Sequence, residues 1–416
     1  MPFFLLAIVV EWIVDYRRGT QFVRLPDAMG SLSAGAMSTA TGIFSKLVGL
    51  VVFAYVLEHW AWYRMPETWF DASPRGVLCW VLALLAWDFF YYWKHRLGHE
   101  RSLFWAAHSV HHQSEEYNLT TALRQTSTDF LVGWTVYIPM FLVGLPVKVF
   151  VTVASIDLIY QFWVHTRHVG TLGWVDRVFV TPSNHRVHHA QNAAYIDKNY
   201  GGILVVWDRL FGTFQPELAS DPVVFGVRKP LASFNPLTAN LQVYQYLWFD
   251  AVRTRRWRDK LGIWFGRTGW RPRDMQVSAP APQRSLNDFE KYSPLRSRRL
   301  DFYLMFQFAI AVVMSIGVEE RFAGNLSITL LMNSLLCWLL INIGIFSDNR
   351  ARGIAPEYLR LLLSIIFVGL ASIFTDALTW PLVLLVIAYG GLSFLLFRHA
   401  RAGLNDISGV DSPGLL

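Results

Sequence analysis

Cysteine is nearly absent from this chain: its 416 residues hold two, Cys79 and Cys337. Both fall inside apolar runs, which argues against a disulfide framework or a thiolate metal site. Charge is scarce as well. Asp, Glu, Lys and Arg make up 16% of the chain, where a soluble domain carries about 25%, and the mean hydropathy is +0.31. There is no HExxH helix of the zinc-hydrolase kind, since neither HRLGHE nor HHQSEE fits that pattern. No internal repeat, nucleic-acid motif or basic–aromatic platform is present. The net charge of +7 therefore points to anionic lipid rather than nucleic acid as its counterpart.

What the chain has instead is apolar length. Runs able to cross a bilayer cover roughly Ala34–Leu57, Gly76–Trp93, Leu300–Val318, Leu326–Phe346, Tyr358–Phe374 and Leu378–Phe397. A shorter run, Pro2–Val14, is interrupted by Glu11. It reads as an interfacial segment rather than a signal peptide, having neither a basic n-region nor a small-residue cleavage site. A further run, Phe130–Val164, is broken by Pro139, Gly144 and Pro146. Those breakers predict a hairpin of two short helices at about 130–164 that leaves and returns on one side. The alternative, one kinked span, would put His112 and His185 on opposite faces of the membrane.

Basic residues follow the early run (Asp15–Arg24), crowd RTRRWRDK and SPLRSRRL between Arg253 and Arg299, and flank the late runs at Arg350, Arg352, Arg398 and Arg401. The positive-inside rule then places the region between the two sets of spans, and the carboxyl terminus, in the cytosol. The expected fold is all-α: a multi-span integral membrane protein with a cytosolic-side, histidine-rich dimetal domain. Three parts are expected: N-terminal spans over 1–93, a catalytic region over 94–299, and a four-span bundle over 300–416. Val277–Asn287 (VSAPAPQRSLN) reads as the linker before the last part.

Nine of the twelve histidines make three clusters and one single residue: His95 and His99; His108, His111 and His112; His165; His185, His188 and His189. Neutral imidazole is the common protein ligand for iron, copper and zinc. Histidines four apart share a helix face, so His95/His99, His108/His112 and His185/His189 can each clamp a metal. Neighbours such as His111/His112 and His188/His189 diverge by about 100°, which suits two metals better than one. His59, His168 and His399 belong to no cluster and are taken as ordinary core or surface residues.

Asp88, Tyr92, His95 and His99 fall on one helix face, so Asp88 is a candidate to accept a ligand's second ring N–H. Gln161, one turn before His165, is a candidate for the same part. Glu100 stands as a ligand, a proton relay or a solvated charge. Histidine-rich paired metals with open positions suit iron and dioxygen activation, here beside a membrane that presents apolar substrates.

The HxxxH, HxxHH, HxxHH series resembles the membrane sterol desaturase and fatty acid hydroxylase superfamily. The stretches KHRLGHE, HSVHHQSEEYNLTTALRQ, YQFWVHT and TPSNHRVHHAQNAAYIDKNYGGILVVWDRLFGTF are similar to the branch that cleaves alkylglycerol ethers, over roughly Asp88–Phe214. The resemblance implies a diiron monooxygenase. Its metal ligands would be His95, His99, His108, His111, His112, His185, His188 and His189, with His165 as a ninth. Glu100 matches an acidic residue of functional weight in that branch, and Asp88 and Glu100 would orient ligands or deliver protons. The implied reaction hydroxylates the carbon beside an ether oxygen and yields an aldehyde and a glycerol product. It consumes O2, with tetrahydrobiopterin as electron donor.

If that donor is used, the polar residues beside the histidines, Glu116, Tyr117, Asn118 and Arg124, are candidates for its binding surface; the alternative is that they cap helices or support ligands. Asn184 departs from the branch, which carries a histidine there. Zinc is able to replace iron at imidazole sites in a purified sample. One alternative keeps the chemistry and changes the substrate to fatty acyl, sterol or ornithine-lipid chains, fed by ferredoxin or cytochrome b5. A metal transporter is a remote alternative, since transporter ligands sit near the bilayer midplane and these clusters lie at or beyond span ends. The membrane would be the inner membrane in a bacterium or the endoplasmic reticulum in a eukaryote.

Overall fold

The apolar runs of the sequence are mostly helical among the described residues. The elements used below are α1 (Pro2–Arg18), α2 (Leu25–His59), α3 (Pro74–Glu100), α4 (Ser102–His112), α5 (Val147–Trp163) and α6 (Pro182–His188), then α7 (Pro236–Arg253), α8 (Arg298–Phe322), α9 (Leu326–Ser347), α10 (Ile354–Phe374) and α11 (Trp380–Ala400). The structure, a computed structural model, describes residues 2–278, 286, 289–322, 324–374 and 380–404. Most of the linker expected at Val277–Asn287 lies outside the described residues. No β-strand forms among the described residues; pairing is limited to isolated bridges such as Phe179 with Leu204. The chain is all-α, as its sequence predicts.

Among the described residues, five stretches are long and apolar enough to cross a membrane: Pro74–Glu100, Arg298–Gly317, Leu326–Ser347, Ala351–Ile373 and Trp380–Ala400. The bent pair Leu25–Gly42 and Leu47–His59 makes a sixth if it counts as one span. α1, at 17 residues, falls short of the roughly 20 that a bilayer needs. Its Glu11 is buried, because it accepts from the Leu119 N–H and the Thr166 hydroxyl, both at 2.7 Å. The charge that interrupts the apolar run thus fastens α1 to residues on either side of the 129–163 stretch.

The described chain divides into two compact units: residues 1–31, 42–231 and 240–290 form one, and 32–41, 232–239 and 291–416 the other. In the first unit α3 packs against α4 and α5. Ser73 opens α3 by accepting the Gly76 N–H at 3.1 Å, with Pro74 in the first turn where its missing donor is not needed. An aromatic core locks α3 in place. Trp87 stacks on Tyr137 with ring centroids 4.5 Å apart, and Phe53 stacks on Phe141 at 4.2 Å.

Between 129 and 163 the chain makes two short 3-10 turns, a five-residue helix (Ile138–Leu142), and then α5. The turn into α5 runs through Gly144 at φ +91° and Pro146. Gly144 is required there: a Cβ would lie 1.6 Å from the Tyr63 carbonyl oxygen. In the second unit, α8 packs on α9 and α11, and α10 on α11. A buried polar cluster joins these helices. Glu357 (1% exposed) pairs with Arg360 (2% exposed) and accepts from Tyr303 and Asn342. The Arg360 guanidinium also donates to the Tyr389 hydroxyl at 2.9 Å.

Candidate metal centre

α3 brings His95 and His99 to the end of a spanning helix, and α4 begins two residues after it ends. The two helices approach closely because Gly98 has no side chain: a Cβ there would stand 3.3 Å from Cγ of His108. α4 supplies His108, His111 and His112 from its last two turns. His165 follows α5, and α6 with its C-terminal cap residue supplies His185, His188 and His189.

All nine histidines come together, in two groups. His95, His99, His108, His112 and His188 form one; His111, His165, His185 and His189 form the other. Within each group the ligand nitrogens all lie within 4.8 Å of one another. The grouping follows helix geometry. The four-apart pairs His95/His99, His108/His112 and His185/His189 each stay in one group, while the neighbours His111/His112 and His188/His189 are divided between the two.

The second ring nitrogens explain how the imidazoles are aimed. Nδ1 of His95 faces the Tyr200 carbonyl at 2.9 Å, that of His111 the Arg124 carbonyl at 3.0 Å, that of His165 the Gln161 carbonyl at 2.7 Å and that of His188 the Lys198 carbonyl at 3.0 Å. A carbonyl only accepts, so each of these Nδ1 atoms carries the proton and each Nε2 presents a bare lone pair. Two such Nε2 atoms, of His111 and His165, stand 3.2 Å apart, and Nε2 of His188 is buried without a partner. Buried lone pairs turned on one another repel, and a cation between them would relieve that repulsion. Burial also pushes His111 down to about 4 and His188 down to about 3, so neither ring takes a proton near neutral pH in place of a metal. An all-imidazole donor set of this kind fits a transition metal such as iron or zinc and not a hard, oxygen-seeking cation.

Other residues picked out from the sequence lie outside the two groups. Asp88 does not take a ring N–H: the nearby His95 gives its proton to the Tyr200 carbonyl. Seven residues along a helix is roughly 10 Å, and the Asp88 carboxylate turns to a loop instead. It accepts from the N–H groups of Ile203 (2.7 Å) and Leu204 (3.1 Å) and from Trp207 Nε1 (2.9 Å). Gln161 does serve His165, but through its main-chain carbonyl; its side chain accepts from the Tyr91 hydroxyl and donates to Asp157. Glu100 is half-buried and accepts from Arg96 Nε at 2.8 Å.

Glu116, Tyr117, Asn118 and Arg124 are all buried, and the structure gives them supporting contacts rather than an open surface. Glu116 pairs with Arg24. The Tyr117 hydroxyl donates to the Val164 carbonyl at 2.9 Å beside His165. Asn118 caps the turn Leu119–Ala122. Arg124 donates to the Val110 carbonyl at 2.7 Å while its own carbonyl takes His111. Asn184 holds the carbonyls of Asp176 and Phe179, both at 3.1 Å, so its side chain is committed to that turn. His59, His168 and His399 belong to neither group.

Sequence reasoning missed the carbonyls of Lys198 and Tyr200, which no residue type announces. It also missed Asp208, buried with no exposed surface. A carboxylate in the apolar run ILVVWDRLF was the available signal, because a buried charge needs donors.

A family model described as Fatty acid hydroxylase matches residues 80–213, which span all nine histidines. Alkylglycerol monooxygenase of Homo sapiens is 34% identical over 374 residues, covering 87% of this chain and 80% of the human protein. The protein of the same name from Danio rerio is 35% identical over 366 residues, covering 87% and 80%, and that from Xenopus tropicalis 34% over 363 residues, covering 87% and 79%. No solved structure matches the chain. Identity at this level along most of both chains, with the paired histidine groups inside the matched domain, makes this chain a member of the alkylglycerol monooxygenase family of oxidoreductases.

Proposed function

We propose that the two histidine groups hold two irons, with all nine histidines as ligands, and that the protein hydroxylates the carbon beside the ether oxygen of an alkylglycerol-type lipid. The observation that carries this reading is the division of neighbouring histidines between two all-imidazole groups, joined to the family membership. When bound, the metal pair supplies the redox chemistry by which O2 and two electrons put one oxygen atom into a C–H bond and release the other as water. The hydroxylated ether is a hemiacetal, which falls apart to a fatty aldehyde and a glycerol product. Tetrahydrobiopterin is the proposed reductant.

The chain's own groups have three tasks. Main-chain carbonyls of residues 124, 161, 198 and 200 hold ring protons on Nδ1 and point Nε2 inward. Burial of the rings keeps them neutral and excludes water. α3, a helix fit to span a bilayer, carries His95 and His99 in its last two turns. That position suits an alkyl tail lying among the spans while its ether carbon reaches the histidines. The basic runs around Arg253–Lys260 and Arg296–Arg299 support a cytosolic site.

The test is a reaction of iron-loaded protein with O2, tetrahydrobiopterin and a chain-labelled alkylglycerol. Labelled fatty aldehyde is the expected product. Hydroxylated fatty acyl or sterol product with no aldehyde, or reduction by ferredoxin alone, would replace this substrate and donor with those of the wider superfamily.

A further inference from the structure

The loop from Lys198 to Leu204 provides two of the carbonyls that face ring nitrogens, Lys198 for His188 and Tyr200 for His95. Both rings belong to the five-histidine group. The loop has no helix or strand of its own, and it passes through Asn199 at φ +57°. Two buried carboxylates grip it. Asp208 accepts from the N–H groups of Tyr200 (2.7 Å) and Gly201 (2.8 Å) and from the Thr213 hydroxyl (2.7 Å). Asp88 accepts from Ile203, Leu204 and Trp207 as described above. Between them sits Gly202, where a Cβ would come within 2.7 Å of Asp157 Oδ1 and 3.0 Å of Asp88 Oδ1. The carbonyls found for the four-histidine group, of Arg124 and Gln161, lie elsewhere in the chain.

We propose that Asp208 and Asp88 are positioning residues that clamp this loop, so that they govern metal retention at the five-histidine group and leave the four-histidine group unaffected. This rests on the two-metal reading above. The physical argument is one of donors and acceptors. Asp208→Asn replaces one acceptor oxygen with an NH2 group, which then meets a main-chain N–H. A buried donor without an acceptor is costly, so the loop moves and carries the Tyr200 and Lys198 carbonyls with it. His95 and His188 then lose the partners that fix their tautomer and tilt. Loss of such outer contacts typically weakens metal binding by roughly ten- to a hundredfold.

The experiment uses full-length protein in nanodiscs, loaded with zinc, and measures zinc per chain and its release to a competing chelator. Wild type should hold two. Asp208→Asn should release one zinc about ten- to a hundredfold more readily and keep the other at wild-type affinity. Adding His165→Ala to Asp208→Asn should remove the tight zinc too, which identifies it with the four-histidine group. Gly202→Ala, which keeps both carboxylates but crowds the loop, should show the same one-site loss and serves if Asp208→Asn fails to fold. Two zincs held as tightly as in wild type, or both weakened alike, would overturn the clamp while sparing the two-metal reading. A wild type that takes up fewer than two would overturn that reading itself, and the clamp with it.

Discussion

At the scale of single residues, the site rests on nine imidazoles whose spacing is plain in the sequence and whose aim is not. His108 and His165 sample the two groups separately. If both metals take part in turnover, His108→Ala and His165→Ala should each abolish aldehyde formation, while His399→Ala, outside both groups, should match wild type. The check is a steady-state assay on folded, metal-analysed protein, and full activity in either group variant would show the ligands to be misassigned. The four-apart spacings were enough to foresee that His95/His99, His108/His112 and His185/His189 each stay together, and the adjacent ones that two groups form, because side-chain direction on a helix follows residue number. Which pairs from different helices join, and where His165 goes, depends on tertiary packing. The partners of their Nδ1 atoms were hidden, because a main-chain carbonyl has no signature in sequence. Asp88 illustrates the difference. Its place on the face of His95 was legible, yet its carboxylate reaches Ile203 and Leu204, residues more than a hundred positions away.

At the scale of elements, the long apolar helices follow from apolar run length, and the breaks between 139 and 146 follow from proline and glycine, whereas α4, α6 and α7 lie outside the apolar runs. Gly144 is the position where the backbone itself decides. Its φ of +91° and the Tyr63 carbonyl in the place of a Cβ leave no room for alanine. Gly144→Ala should cost more than about 1 kcal/mol and lower the melting temperature in detergent; an unchanged melt would mean that the turn into α5 has another way to form. The role of Glu11 was harder to foresee. From the sequence it is a charge that spoils an apolar run, and its acceptance of Leu119 and Thr166 depends on a tertiary meeting that no local pattern encodes.

At the scale of the whole molecule, two units carry different kinds of polar burial. The second holds its ion pair, Glu357 with Arg360, among Tyr303, Asn342 and Tyr389. Removing one partner of a buried pair leaves an uncompensated charge, at a cost of about 3–5 kcal/mol, whereas apolar replacement of both is often tolerated. Arg360→Met should therefore destabilise the protein more than Glu357→Leu combined with Arg360→Met, as read from chemical denaturation of the two variants; the reverse order would mean that the pair's other hydrogen bonds outweigh its charge. The first unit buries carboxylates too, Asp88 and Asp208 among them, but adds nine imidazoles, and it divides neighbours on α4, and neighbours at the end of α6, between its two groups. Those helices act as rulers. The interval between the two histidine groups is set by the angular step of the peptide backbone, so a twist of α4 as a whole displaces His111 and His112 together.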